Sequence, residues 1–181
     1  YDNRDIIIGQ GTLGLDIMDD APDVETVIMG IGGGGLIAGV AAAVKARAAE
    51  EGRTVRVIGV QAENSAPYPA SLEQGKPVQL ETTPTIADGI AVARPGDIPF
   101  EIIKDLVDEV VTVSDDDIAR AILVLLERGK QVVEPAGAVG VAAILAGKVK
   151  PSGPTVAVLS GGNIDPLLLQ RVVAHGLAAS G

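Results

Sequence analysis

Residues 24–52 read VETVIMGIGGGGLIAGVAAAVKARAAEEG, which is a β-branched run, four consecutive glycines and then an alanine-rich segment. The stretch Val24–Ile31 predicts a strand, and Leu36–Glu51 predicts a helix that ends at Gly52. A strand joined to a helix by a short loop is the repeating unit of a parallel sheet with helices on its faces. This stretch therefore predicts an α/β fold with a mainly parallel sheet flanked by helices.

The rest of the chain continues the alternation of β-branched segments with alanine- or leucine-rich ones. Further strands are predicted at Thr54–Ala62, Glu109–Val113 and Thr155–Leu159. Helices are predicted over residues 71–74, 98–106, 115–128, 135–145 and 165–175, the third of them capped by Ser114 and ended by Gly129. Residues 76–97 carry turn residues without a sustained period, so they predict a long loop that is functional or mobile.

The composition limits the classes of function. With 181 residues, 47 % of them apolar, the chain has enough apolar surface for one folded domain. The net charge of −10 argues against binding to nucleic-acid phosphates or anionic lipid, and three aromatic residues are too few for a base-stacking surface. The absence of cysteine excludes disulfides, thiolate metal sites and a cysteine nucleophile, and suits a cytoplasmic protein. No apolar run reaches the roughly 20 residues of a membrane span, so neither nucleic acid nor a membrane is an expected partner.

The four glycines at positions 32–35 lie between the predicted strand and helix. Without Cβ atoms, consecutive N–H groups can converge at the start of a helix, where the helix dipole adds to them. Such a loop can hold a phosphate without lysine or arginine, which fits the acidic composition. No Lys-Ser/Thr pair follows and no acidic residue ends the next strand, so this is neither a Walker loop nor a typical dinucleotide loop. The alternative is that the glycines only let the helix pack close to the sheet.

Two further motifs follow predicted strands. Ser160 stands between Leu159 and two glycines, and Glu134 precedes the helix that begins at Pro135. Ligands of open parallel sheets collect at the carboxyl ends of the strands, so we expect these residues at the same rim as the glycine loop. A hydroxyl at Ser160 can face a ring nitrogen or a second anion. The alternatives are a plain strand-to-helix turn with Asp165 as a cap and a capping role for Glu134.

Taken together, these motifs resemble a known family. The resemblance lies in the order and spacing of Gly32–Leu36, Val57–Gln61, Ala87–Gly89, Glu134–Ala138 and Ser160–Asp165. They are similar to those of the threonine ammonia-lyases (threonine dehydratases), which are tryptophan-synthase-β-like, or fold type II, pyridoxal phosphate enzymes. The likeness extends over essentially the whole chain. It looks closer to the catabolic threonine enzymes than to the biosynthetic ones, and serine racemases share most of it.

The resemblance implies a cofactor, pyridoxal 5'-phosphate, and the residues that hold it. Backbone amides would bind the phosphate, Gly89 would line the ring, Glu134 would lie near its far edge and Ser160 would face the pyridine nitrogen. The amides implied are those of Gly32, Gly33, Gly34, Gly35 and Leu36. The implied activity is the dehydration and deamination of L-threonine to 2-oxobutanoate and ammonia. A serine racemase-like enzyme and a non-catalytic phosphate-binding module are the alternatives.

The sequence departs from the family in its lysines. The Ser-x-Lys-x-Arg-Gly-Ala type of motif, whose lysine forms the Schiff base in the family, is absent, and none of the six lysines has that context. We therefore expect residues 1–181 to be the carboxyl-terminal portion of the catalytic region, within its larger cofactor domain, and to be inactive alone. A homo-oligomer in the full-length enzyme, or a complementing amino-terminal segment, is the expected partner besides the amino-acid substrate. Exposed apolar surface is expected where that segment would dock.

A second departure concerns metal ligands. In related enzymes two acids and backbone carbonyls surround a cation, and Gln61 and Pro67 stand here at the matching positions. A divalent site of that kind would lack its charged ligands, so none is expected, while a monovalent cation held by carbonyl oxygens stays open. Arg171 and His175 are expected to have surface or packing roles on the last helix.

Overall fold

The computed structural model describes residues 1–179, and it describes side chains up to residue 174. Within these residues the sheet has four parallel strands, in the order β3-β2-β1-β4. They are β1 (Thr26–Gly30), β2 (Arg56–Ala62), β3 (Glu109–Val113) and β4 (Thr155–Ala157). In the register of the sheet, Val27 of β1 pairs with Val57 of β2 and with Val156 of β4. The predicted α/β fold with a parallel sheet is confirmed.

Helices flank this sheet on both faces. They are α1 (Arg4–Asp20), α2 (Gly35–Glu50), α3 (Pro67–Gln74), α4 (Asp97–Leu106), α5 (Asp115–Val124), α6 (Pro135–Leu145) and α7 (Pro166–Ala179). No helix in the described part of the chain combines the length and the hydropathy that a membrane crossing requires.

Alternate residues of the strands belong to two separate cores. Val27 and Met29 of β1 pack with α1, α2 and α4, whereas Ile28 packs with α5 and α6. All three side chains are fully buried. Successive side chains of a strand point to opposite faces, so a central strand with both faces covered is apolar throughout. This accounts for the apolar residues 27–31 within the stretch that predicted β1.

The helix α1 is absent from the elements predicted by the sequence. It carries Gly9, Gly11 and Gly14, and glycine disfavours a helix interior by about 1 kcal/mol relative to alanine. Two of these glycines face α2 at close range. A Cβ atom at Gly11 would lie 3.3 Å from the carbonyl oxygen of Gly39, and one at Gly14 would lie 2.8 Å from Ala43 Cβ. Tertiary contact between two helix backbones therefore compensates for the low helix propensity.

The substitution Gly14→Ala should lower the free energy of unfolding by about 1–2 kcal/mol, because overpacking costs more than the gain in helix propensity. Gly9→Ala, on the same helix, is the matched control. A Cβ atom at Gly9 meets nothing within 4 Å, so this change should raise stability by about 0.5–1 kcal/mol. Urea unfolding of both variants measures the two signs, and an equal increase in both would contradict the close helix contact.

Three predicted boundaries need correction. The helix α3 begins at Pro67 rather than near Ser71, since a proline is well placed in the first turn. Regular α5 ends at Val124, and residues 125–129 form a wider π-type turn. Lys130, not Gly129, takes the left-handed conformation there, because the extra residue of the wide turn moves the terminating position by one. The strand β4 is half-buried and ends at Ala157, because among residues 1–179 it pairs with β1 alone, at an edge of the sheet.

Candidate functional site

The three motifs meet at the carboxyl end of β1. A Cβ atom at Gly32 would lie 3.6 Å from the carbonyl oxygen of Gly89, and one at Gly89 would lie 3.7 Å from Glu134 Oε1. A Cβ atom at Gly161 would lie 2.6 Å from that same carboxylate oxygen. Contacts therefore run from the glycine loop through Gly89 and Glu134 to the segment that follows Ser160. The predicted shared rim is confirmed.

The glycine loop joins β1 to α2 and has donors without acceptors. Gly34 has a φ of +103°, in the left-handed region that favours glycine. Gly33, Gly34 and Gly35 are buried, and α2 has no side-chain cap at its amino end. In the part of the chain that the structure describes, the N–H groups of Gly32, Gly33 and Gly34 have no acceptor on the protein.

The next two amides, those of Gly35 and Leu36, belong to the first turn of α2, where an N–H has no partner within the helix. Five consecutive donors therefore lie at the positive end of a helix dipole. A buried N–H without an acceptor costs free energy, and such groups are rare in proteins. An anion is the ligand that suits this arrangement, because it accepts several hydrogen bonds and favours the dipole.

Neighbouring side chains hold the loop from two sides. The ring of Tyr1 packs against Gly33, and its Cβ and backbone lie beside Gly35. The hydroxyl of Tyr68 donates a hydrogen bond of 3.0 Å to the carbonyl oxygen of Gly33. The Gly96 N–H donates to that same oxygen at 3.0 Å. Neither tyrosine is among the predicted site residues. No charge or spacing pattern marks them, and their rarity in a chain with three aromatic residues is the available signal.

The segment with Tyr1 is fastened by its neighbour Asp2. The Asp2 carboxylate accepts hydrogen bonds from the N–H groups of Ile98 at 2.9 Å and Asp97 at 3.0 Å, at the amino end of α4. These bonds to Ile98 and Asp97 hold the pKa of the Asp2 carboxyl below its usual value. Asp2 therefore stays ionised at neutral pH and caps α4 while Tyr1 lies on the glycine loop.

Glu134 connects the start of α6 to the segment after β4. Its Oε2 accepts a hydrogen bond of 2.9 Å from the Asn163 N–H, and its own N–H donates to the carbonyl oxygen of Gly161. The residue itself is half-buried, and Ser160 is exposed to solvent. The cap of α7 is supplied by Asp165, whose Oδ1 accepts from the Leu167 N–H. Glu134 thus fixes the shape of the segment that presents the Ser160 hydroxyl.

Gly89 lies in the predicted long loop, within a short 3-10 turn over Asp88–Ile90. The segment before it is fastened to the amino end of α5. The Asp115 carboxylate accepts from the Thr85 hydroxyl and from the Ile86 N–H. A Cβ atom at Gly89 would lie 3.0 Å from Ala136 Cβ, so the turn sits tightly against α6. The long loop is confirmed, and this part of it is held in place by side chains.

Gln61 occupies the position at which related enzymes were expected to have an acidic metal ligand. Its Nε2 donates to the Ile31 carbonyl oxygen at 3.2 Å, and its Oε1 accepts from the Tyr68 N–H at 2.9 Å. Both ends of the amide therefore bind protein groups, and the expectation of no divalent site there stays a prediction. Arg171 is exposed, in keeping with its expected surface role, while the side chain of His175 lies outside the described residues.

Comparison with known proteins identifies proteins of similar sequence. A family model described as pyridoxal-phosphate dependent enzyme matches residues 1–161. A Thermotoga maritima L-threonine ammonia-lyase is 52 % identical over 182 residues, which cover 100 % of this chain and 44 % of the relative. The chain thus spans less than half the length of that relative.

Solved structures are similar as well. A threonine deaminase from T.th. superposes with a TM-score of 0.84 at 40 % identity, covering 91 % of this chain and 61 % of the other. Maize serine racemase superposes with a TM-score of 0.84 at 37 % identity, covering 94 % of this chain and 53 % of the other.

Proposed function

The chain belongs to the pyridoxal-phosphate dependent enzymes, and from this membership we propose that it supplies the phosphate- and ring-binding part of a threonine or serine ammonia-lyase. The observation that carries the proposal is the set of buried glycine amides without acceptors at the start of α2. A phosphate ester is an acceptor of the right charge and number of oxygens for them. The relative from Thermotoga maritima supports the choice of an L-threonine ammonia-lyase.

In this proposal the chain binds and orients the cofactor. The amides of Gly32–Leu36 would hold the phosphate, Gly89 would leave room for the ring, and Ser160 would offer a neutral hydroxyl to the ring nitrogen. Pyridoxal phosphate, when bound, supplies an electron sink for the α-carbon of an amino acid, which permits loss of a β-hydroxyl. Glu134 would hold the Ser160 segment in position. The amino-acid substrate, a cytoplasmic location and the assignment of residues 1–181 to the larger cofactor domain are parts of the same proposal.

The lysines support the expectation that the chain is inactive alone. Lys45 pairs with Asp108 at 2.6 Å, and Lys104 pairs with Glu101 at 2.6 Å. Lys130 donates to the Glu127 carbonyl oxygen, and the other three, Lys76, Lys148 and Lys150, are exposed. None of the six is part of the rim at the carboxyl end of β1. We propose that the lysine that reacts with the cofactor lies in a separate segment that complements this chain.

Exposed apolar side chains on α1 indicate a face that another protein surface covers. On α1, Ile8 is 72 % exposed and Ile6 is 51 % exposed. Both are far above the exposure of a core side chain, and Ile8 lines a cavity of about 570 Å³ between α1 and α4. We propose that a complementing segment or a second subunit covers this face, because water contact with such residues is unfavourable.

Equilibrium dialysis of the chain against pyridoxal phosphate, pyridoxal and inorganic phosphate tests the proposed function. We expect binding of pyridoxal phosphate at least about tenfold tighter than that of pyridoxal, competition by inorganic phosphate, and turnover of threonine only after addition of the part of the Thermotoga maritima relative that precedes the matched region. Equal binding of the two vitamers would contradict the phosphate site. A stoichiometric borohydride-stable adduct on one lysine would contradict the complementing lysine.

Serine racemase is the second candidate, and the superposition with the maize enzyme favours it as an alternative. The complemented protein distinguishes the two activities. An ammonia-lyase releases ammonia and an oxo acid from L-serine, whereas a racemase accumulates D-serine.

A further inference from the structure

Gln61 is a fully buried polar side chain at the end of β2. Its amide nitrogen donates to the carbonyl oxygen of Ile31, and its amide oxygen accepts from the backbone N–H of Tyr68. Ile31 immediately precedes the four glycines, and Tyr68 lies in the first turn of α3. Because a buried amide is costly unless both ends are paired, this side chain fixes the distance between the loop and α3.

The side chain of Tyr68, on α3, contacts the same loop. Its side chain is fully buried and packs against Phe100, with ring centroids 6.4 Å apart. Its hydroxyl donates to the carbonyl oxygen of Gly33 at 3.0 Å. Burial raises the pKa of the Tyr68 phenol, so the hydroxyl remains a protonated donor at neutral pH.

These two bonds act on alternate peptide groups of the loop. In a planar trans peptide, the C=O of one residue and the N–H of the next point in opposite directions. Holding the Ile31 oxygen toward Gln61 therefore turns the Gly32 N–H away from it. Holding the Gly33 oxygen toward Tyr68 likewise turns the Gly34 N–H away from α3. Both of these N–H groups are among those without an acceptor on the described protein.

We propose that Gln61 and Tyr68 are positioning residues that aim the amides of Gly32 and Gly34 at the phosphate of the cofactor. This inference rests on the proposed function, because the phosphate is the ligand of those amides. It assigns a role to a glutamine and a tyrosine through their hydrogen bonds to the backbone of the loop. Their contribution is orientation in advance of binding, which reduces the cost of ordering the loop around the ligand.

The variant Tyr68→Phe tests the inference, because it removes one hydroxyl and keeps the ring that packs against Phe100. The affinities for pyridoxal phosphate and for pyridoxal are measured by equilibrium dialysis, and their ratio isolates the contribution of the phosphate. We expect the ratio to fall about three- to tenfold in Tyr68→Phe, which corresponds to the loss of one hydrogen bond. The effect is limited because the Gly96 N–H still donates to the Gly33 oxygen. Gln61→Ala should lower it by about tenfold or more, since both of its contacts are lost.

Ser71→Ala is the matched control on the same helix. Ser71 is fully buried, donates to the Pro67 carbonyl oxygen and accepts from the Val78 N–H, so neither of these hydrogen bonds involves the glycine loop. It should reduce stability while leaving the ratio unchanged. Hydrogen exchange at residues 32–34, measured with and without inorganic phosphate, gives a second readout. The protection that phosphate induces should decrease in Tyr68→Phe and stay unchanged in Ser71→Ala.

The outcomes separate the two levels of inference. A wild-type chain with no preference for pyridoxal phosphate over pyridoxal would overturn the proposed function and this inference with it. A wild-type preference that persists unchanged in folded Tyr68→Phe and Gln61→Ala would overturn the positioning role alone. A parallel drop in Ser71→Ala would show that general loosening of α3, rather than orientation of the loop, causes the effect.

Discussion

Gly34→Ala should weaken the binding of pyridoxal phosphate by at least about a hundredfold, or roughly 2.7 kcal/mol. Gly34 has a φ of +103°, and a Cβ atom there would overlap the Tyr68 hydroxyl and lie 2.8 Å from side-chain atoms of Pro99 and Ile103. Left-handed strain costs about 1–2 kcal/mol and overpacking about 1–3 kcal/mol, so the loop must shift. Such a shift would turn the free amides out of their common direction. Titration of the variant with pyridoxal phosphate measures the loss.

Gly75→Ala separates backbone strain from damage to the site. Gly75 has a φ of +69° at the end of α3, and a Cβ atom there meets nothing within 4 Å. This variant should lose about 1 kcal/mol of stability and keep its affinity for pyridoxal phosphate. If folded Gly34→Ala binds as tightly as the wild type, the glycine loop is not the phosphate site.

Glu134→Ala should weaken the binding of pyridoxal about ten- to a hundredfold while leaving the affinity for inorganic phosphate unchanged. The carboxylate of Glu134 accepts from the Asn163 N–H and lies beside the backbone of Gly89 and Gly161, so its removal frees the segment that presents Ser160. Hydrogen bonds to a charged group are worth about 1.5–3 kcal/mol, which sets the size of the effect. Separate titrations with the unphosphorylated vitamer and with phosphate resolve the ring site from the glycine loop.

Asp165→Ala is the control for this prediction. Asp165 also accepts a hydrogen bond from a backbone N–H, that of Leu167 at 2.6 Å, but it serves as the cap of α7. Its loss should destabilise the end of that helix without changing the affinity for either ligand. Equal effects of the two substitutions on pyridoxal binding would refute a specific role for Glu134.

The sequence predicted the centre of the sheet well because β1 and β2 are buried on both faces. The strand β3 is found at the predicted residues, and β1, β2 and β4 lie within the predicted ranges. The capping box of α5, with Ser114 and Asp117 bound to each other's backbone N–H groups, is also readable from residue types three apart. Local chemistry sufficed wherever the decisive contacts were near in the sequence.

Contacts between distant residues account for what was missed. The helix α1 depends on Gly11 and Gly14 meeting the backbone of α2, which no local propensity reveals. The candidate site was predicted through its glycines, Glu134 and Ser160, because loops after parallel strands share a rim. The contacts of Tyr68 and Gln61 with that rim depend on how α3 folds back. Tyr68 follows Gly33 by 35 positions, and the sequence between them carries no pattern that specifies this contact.

None of the five loop donors is a basic side chain, and this affects the pH range in which the site can bind an anion. Peptide N–H groups do not ionise, so protonation of the protein cannot switch these donors off between mildly acid and alkaline solution. The second ionisation of the ligand's phosphate, near a pH of about 6, would then set the lowest pH at which the ligand binds tightly. A lysine or arginine in the same place would instead have tied that capture more strongly to ionic strength.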